Sequence, residues 1–163
     1  MSAQTGDRML HLVEVTEENW MQIASLSVSE EQKTFLAPAI GILARGYVYR
    51  SCNARVLGIA VNEQIVGVAL VRDFTEEPVG YDLQQFMIDA HFQGKGYGTK
   101  ALQLILELLQ EEGRYSTVEV CVKKAAVAAL RVYEKVGFVD SGYVDEDLPD
   151  CVNLVYTLPL KLG

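Results

Sequence analysis

Three glycines in five residues, Gly94, Gly96 and Gly98, separate an alternating run from a long stretch of helical period. Tyr81 to Asp89, before them, reads as a strand. After them Ala101, Leu102, Ile105, Leu108 and Leu109 recur at helical spacing, and Gly113 is a natural stop. Glycines let a chain turn tightly and let a ligand approach main-chain N–H groups. The start of a helix adds unpaired donors and the positive end of a dipole. The pattern predicts a phosphate cradle in an α/β chain, with a ligand-free glycine turn as the alternative reading of the spacing alone. The dinucleotide fingerprint needs glycine at position 99, which is Thr99, and no P-loop is present. The pattern that fits is Q-x-x-G-x-G, Gln93 to Gly98.

Around this loop the chain alternates between strand and helix signals. Leu10 to Val15 alternates as a strand. Thr16 is expected to cap a helix, with Glu17 and Glu18 in its first turn and Trp20, Ile23 and Ala24 as its buried face. Ser29 with Gln32 makes a capping-box start, Pro38 interrupts it, and Ile40 to Arg45 resumes helix. Val56 to Val61 and Ile65 to Arg72 form a hairpin about Asn62-Glu63. Asp73 to Gly80 reads as a loop. Thr117 to Lys123 puts Val118, Val120 and Val122 on one face. Ala125 to Val136 is a helix ended by Gly137, and Val139 to Val144 and Val152 to Leu158 are the last strands. The order predicts a mixed α/β (α+β) domain around one sheet of about seven strands, mostly antiparallel and flanked by helices.

Half of the 163 residues are hydrophobic and 22% are charged, enough for one domain to bury a core. No repeat or linker divides the chain, so residues 8–163 are expected to form a single domain behind a loose tail, 1–7. Twenty-two acids against fourteen bases leave a net charge of −8. That argues against a nucleic-acid partner and suits a cationic one, or serves solubility alone. Cys52, Cys121 and Cys151 are odd in number and widely spaced, which supports neither a disulfide framework nor a zinc knuckle. His11 and His91 are too separated for a metal site, and a structural role is expected for His91. Cys121, in an alternating strand, reads as a buried small hydrophobe. No apolar run reaches a membrane span and the N-terminus lacks a signal pattern, so the cytoplasm is the expected compartment.

The run F-M-I-D-x-x-x-Q-G-K-G-Y-G, Phe86 to Gly98, resembles the central motif of the GNAT family of N-acetyltransferases. A second stretch, A-L-R-V-Y-E-K-V-G-F from Ala129 to Phe138, resembles another of the family's motifs, in the family's order and at a similar separation. The predicted elements agree along nearly the whole chain. The resemblance implies the acyl-CoA N-acyltransferase fold, acetyl-CoA as cofactor and an amine as acceptor. It implies that Gln93, Gly94, Lys95, Gly96, Tyr97, Gly98, Thr99 and Lys100 hold the pyrophosphate. Phe86, Met87 and Ile88 would meet the pantetheine arm, together with Ala126, Ala129, Tyr133 and Lys135. Ile88 N–H would face the thioester carbonyl, and Tyr133 would protonate the leaving sulfur. Outside the motif Tyr133 would read as a core tyrosine.

The chain departs from the family's pattern at two positions. Gln84 stands where relatives often carry Glu or Asp; an amide cannot act as a base but can position water. Asp82, Glu30 or Glu31 acting through water are the substitutes. Ala126 stands where relatives usually carry Asn. Leu26-Ser27-Val28, Gln32 and Phe35 are similar to a pattern of bacterial spermine/spermidine acetyltransferases. With Glu30, Glu31, Asp82, Asp145, Glu146, Asp147 and Asp150 as candidate acceptor-binding acids, a polyamine is the expected substrate. Solvated loop charge is the alternative reading of the acids. A protein N-terminus or another small amine, or a CoA-binding sensor without turnover, are the alternatives to a polyamine acetyltransferase. A homodimer is the family-level expectation.

Overall fold

A computed structural model describes residues 9–159. The tail expected at 1–7 and the last residues of the expected domain, 160–163, lie outside the described residues. Seven strands form one sheet in the order β1-β2-β3-β4-β5-β7-β6. They are β1 (Leu10–Glu14), β2 (Arg55–Val61), β3 (Gln64–Phe74), β4 (Gly80–Ile88), β5 (Thr117–Lys123), β6 (Val139–Asp140) and β7 (Cys151–Thr157). All neighbours are antiparallel except β4 and β5. The helices are α1 (Trp20–Ala24), α2 (Ala39–Val48), α3 (Tyr97–Glu112) and α4 (Val127–Val136). The mixed, mostly antiparallel sheet expected from the sequence is the sheet observed.

The helices divide by face. Leu102, Ile105 and Leu109 of α3 and Tyr133 of α4 pack with Tyr81, Leu83, Val118 and Val120 in one core. Ile23 of α1 and Ile42 of α2 pack with Val68, Leu70 and Met87 in another, on the opposite side of the sheet. These assignments follow from side-chain alternation, since residues i and i+2 of a strand share a face. Gly113 ends α3 at φ 64°, its N–H donating to Leu109 O at 3.1 Å. Buried Asp73 ties the far edge together: it accepts from Asn53 at 2.7 Å and from both guanidinium nitrogens of Arg114.

Several local expectations change. Thr16 does not start a helix; its oxygens close a turn onto Glu18, Asn19 and Trp20, and α1 begins at Trp20. With so short a helix, Trp20 stands at its open end, 43% exposed, rather than in the core. The capping box at Ser29 leads only into one 3₁₀ turn, Gln32–Thr34, with Ser29 N–H donating to Gln32 Oε1 at 3.4 Å. Pro38 instead sits just ahead of α2, where its missing N–H costs nothing. The strand expected over 139–144 stops at Asp140. Cys121 is exposed and Cys151 is the buried cysteine. The alternation that buries Val118, Val120 and Val122 under α3 and α4 turns Cys121 to the face that α1 and α2 leave open. Among the described residues no helix is long and apolar enough to cross a membrane.

The β3–β4 contact is close at Gly67, where an added Cβ would lie 2.5 Å from Met87 O and 2.9 Å from Ile88 Cδ1. Gly67→Ala must push β4 away. We expect a loss of about 1–3 kcal/mol, the usual cost of overpacking, read as a lowered urea midpoint at unchanged m-value.

Candidate active site

β4 and β5 pair only at Tyr81↔Val118 and Asp82↔Glu119, and beyond these positions the two strands part. The space between them is a cleft of about 570 Å³. That volume lies within the usual range for small-molecule sites. One wall is β4 from Leu83 to Ile88, the other is β5 from Val120 to Lys123 with the start of α4. The glycine turn closes one end, and Val28, Glu31, Gln32 and Phe35 cover the side toward α1 and α2.

Main-chain direction along β4 is set by one hydrogen bond. Asp89 N–H donates to Val66 O at 2.8 Å, on the β3 side. Strand N–H groups alternate between edges, so Ile88 and Phe86 point theirs to the other edge, into the cleft. The Ile88 carbonyl on that edge accepts from Gln93 Nε2 at 2.9 Å. The same Gln93 exchanges two amide bonds with Gln32, at 3.1 and 2.9 Å. The Gln93 side chain therefore serves as a brace that joins the glycine turn to the Val28–Phe35 segment. Asp89 holds the base of the turn: its carboxylate accepts from Ser27 N–H, His91 N–H and the His91 ring, at 2.9, 2.9 and 2.7 Å. Burial alone would raise its pKa, but these hydrogen bonds together bring it below the ordinary carboxylate value. His91 has the structural role expected of it.

The turn suits an anion. Gly94 and Gly96 have φ of 78° and 81°, a region that favours glycine, and a Cβ on either would meet nothing within 4 Å. Gly96 is the N-cap of α3, whose first turn carries no acid to compete for a phosphate. The main chain is thus exposed to the cleft at the positive end of a helix of sixteen residues, which fits the diphosphate of CoA. Gly94, Gly96, Tyr97, Gly98 and Thr99 line the cleft; Lys95 and Lys100 do not. Ala126 and Ala129 also line it, and Lys135 lies away on α4. With Phe86, Val120 and Val132 they make an apolar channel.

Tyr133 stands where this channel meets the splay. Its ring packs edge-on against Phe138, with centroids 5.4 Å apart, and tilted against Phe86 at 6.2 Å. Burial pushes its pKa well above that of a free phenol, so the hydroxyl stays protonated at any working pH. Gln84 and Gln85 line the opposite part of β4. Asp82 is buried just below the cleft, 2.9 Å from Arg72 Nε. Desolvation raises its pKa despite that arginine, and Glu119 beside it adds to the rise. Of the other acids only Glu31 lines the cleft. Glu30 is fully outside, paired to Lys33 at 2.6 Å. Asp145, Glu146 and Asp147 lie in an exposed turn off the lining, with the Asp145 carboxylate accepting from Asp147 N–H at 2.9 Å.

Cys121 also lines the β5 wall, a place that the sequence alone does not give it. Alternation would place it there once the open face of β5 is known. Desolvation first, then the neighbouring Cys151 and the carboxylates of Asp145 and Asp82, raise its thiol pKa far above the free value. It is therefore a poor nucleophile. Among the described residues no group of three or more His, Cys, Asp or Glu could hold a metal ion.

Known proteins match this arrangement. The model of the Acetyltransferase (GNAT) family matches residues 20–138, well over half of the chain. The chain is 27% identical over 146 residues to a probable spermine N(1)-acetyltransferase of Bacillus subtilis subsp. natto, covering 83% of this chain and 91% of that protein. Its fold is similar to that of spermidine N-acetyltransferase from Vibrio cholerae, solved with CoA and spermine, at a TM-score of 0.70 and 14% identity over 91% of this chain and 95% of that one. It is similar too to the aminoglycoside acetyltransferase AAC(6')-Ib solved with coenzyme A, at a TM-score of 0.74 and 19% identity, again over 91% and 95%. The cleft, its glycine turn and the family match agree, and the chain belongs to the GNAT family of acetyl-CoA-dependent N-acetyltransferases.

Proposed function

We propose that this chain acetylates a primary amine of a polyamine, spermine or spermidine in type, by direct transfer between two substrates bound together. The observation that carries this reading is that the glycine turn, Tyr133 and Glu31 line one cleft. The names of the Bacillus relative and of the Vibrio structure support the acceptor class. Acetyl-CoA supplies an acetyl group activated as a thioester.

The residues divide the work by position. Main-chain N–H groups from Gly94 to Gly98 hold the diphosphate. Phe86 and Ile88, with N–H groups turned into the cleft, serve the pantetheine arm and the acyl oxygen. The acceptor arrives as an ammonium of pKa ~10.4 and must lose a proton before its lone pair can attack. Asp82, at the last paired position of the splay, takes that proton through water; its raised pKa makes it a better base than an ordinary carboxylate. As the C–N bond forms, the C–S bond breaks and the Tyr133 hydroxyl donates its proton to the departing sulfur; the second proton that the nitrogen sheds on becoming an amide returns through water to the Tyr133 phenolate. Cys121, kept as a thiol, takes no acetyl group. Glu31 on the wall draws a second ammonium of the acceptor, and Asp145 extends that field to the β5 side, where it acts on Cys121.

Gly96→Val tests the cradle. Its φ of 81° strains a branched residue, so stability should fall by about 1–3 kcal/mol. The side chain also enters the open space above the turn. Isothermal titration at a temperature where the variant is folded should give CoA binding weakened about tenfold or more. Unchanged affinity would move the diphosphate elsewhere.

Tyr133→Phe keeps the ring packing and removes the hydroxyl. Loss of a proton donor typically costs about 10²–10⁴-fold in rate, so thiol release should fall by at least about 10² with CoA affinity unchanged. Because burial keeps the parent hydroxyl protonated, its rate should show no alkaline limb from this residue up to about pH 10, the ordinary phenol value. Parent-like turnover in the variant would make Tyr133 a packing residue.

The acceptor is tested by a series from monoamine to diamine to spermine. KM should fall along it and rise with ionic strength, since exposed charges are screened beyond ~8–10 Å in ordinary buffer. Glu31→Gln should raise KM for spermine several-fold and leave the monoamine unaffected. A monoamine used as well as spermine, without salt dependence, would point to another small amine.

A further inference from the structure

In the β3–β4 register Leu70 faces Gln85 and Val71 faces Leu83, so Gln84 is the extra residue of a bulge. Strict alternation would send Gln84 and Gln85 to opposite faces. The bulge sends both toward α2: Gln84 Oε1 accepts from Arg45 Nη1 at 3.1 Å, and Gln85 Oε1 accepts from Ala37 N–H at 3.2 Å. A guanidinium has five donors and no acceptor. The Gln84 atom that meets Arg45 is therefore the carbonyl oxygen, and the NH₂ group is turned away from it. Gln84 lines the cleft, and its amide nitrogen has no protein partner among the described residues. Arg45 is half-buried on α2 and lies off the lining.

We propose that Arg45 is a positioning residue that turns the Gln84 NH₂ into the cleft, where it donates to the acyl oxygen as negative charge develops there. The inference rests on the acetyltransferase reading of the cleft. Phe86, two residues on, directs its N–H to the same edge, so main chain and side chain offer donors to one region. The arrangement gives Gln84 a different part from positioning a water that accepts a proton. Its free end is a donor, and a donor stabilises an oxygen that gains charge. Arg45 adds no hydrogen bond to the substrate. It removes the alternative in which the amide presents its oxygen, and that preorganisation is what makes a donor effective.

Gln84→Glu tests this with almost no change of shape, because it replaces the donor by an acceptor that still pairs with Arg45. Loss of one such donor typically lowers kcat about 10²–10³-fold. We expect a fall of about 10²-fold in kcat, with KM for both substrates within about threefold. Arg45→Met should lower kcat about tenfold by freeing the amide, and Arg45→Lys, which still donates, should restore most of it. A second readout needs no turnover. The side-chain ¹⁵NH₂ resonances of Gln84, assigned by their loss in Gln84→Glu, should shift with acetyl-CoA and stay in place with CoA. A Gln84→Glu variant as fast as the parent would overturn the inference, as would resonances that move equally with both ligands. If the parent releases no thiol with any amine while the resonances still respond to acetyl-CoA alone, the acceptor reading fails and the Gln84 assignment stands.

Discussion

Two parallel pairings, Tyr81↔Val118 and Asp82↔Glu119, hold the halves of the sheet together at one end. The site exists because the strands part beyond them. Main-chain groups on the free edges of β4 and β5 have no strand partner, and in a buried sheet such groups must be satisfied by something else. Gln93 satisfies one of them, the Ile88 carbonyl. The N–H groups of Phe86 and Ile88 remain for a ligand. A sheet that closed fully would have no site, and one without the two pairings would have no fixed distance between its walls.

The walls are kept apart by packing rather than by charge. Phe86 of β4 meets Tyr133 of α4, and Tyr133 meets Phe138, which meets Tyr156 of β7 at 5.4 Å. These contacts run across the gap beneath the cleft, so the aromatic chain is both floor and spacer. On the other side the Gln32–Gln93 amide pair fixes the α1–α2 segment to the glycine turn. Phe138, Tyr156 and the Gln32–Gln93 pair thus help to set the width of the space in which substrates meet.

Much of this is legible in the sequence. The glycine turn, the strand before it and the helix after it need only period and glycine spacing, because local conformational demands at Gly94 and Gly96 are strong. The sheet's composition is legible for the same reason. The function comes from two motifs at family spacing. The features that cannot be read depend on contacts between distant segments. Trp20 looks buried by period, but a helix that starts at it leaves it outside. Glu30 and Glu31 are neighbours in sequence, and only the 3₁₀ turn decides that Glu31 faces the cleft. The bulge at Gln84 has no local signature, so the joint direction of Gln84 and Gln85, and the reach of Arg45 to the first of them, appear only once β3 and β4 are in register.

Cys121 is a thiol kept neutral on a working surface, and that has a chemical consequence. The groups that raise its pKa, desolvation foremost, lower its thiolate fraction at neutral pH. Oxidants and electrophiles attack the thiolate. An exposed cysteine beside a reactive thioester would ordinarily be a weak point, open to slow self-acylation and to oxidative ageing. Here desolvation first, and then Cys151 and the neighbouring carboxylates, keep Cys121 protonated and so work against both, on the same wall that shapes the cleft.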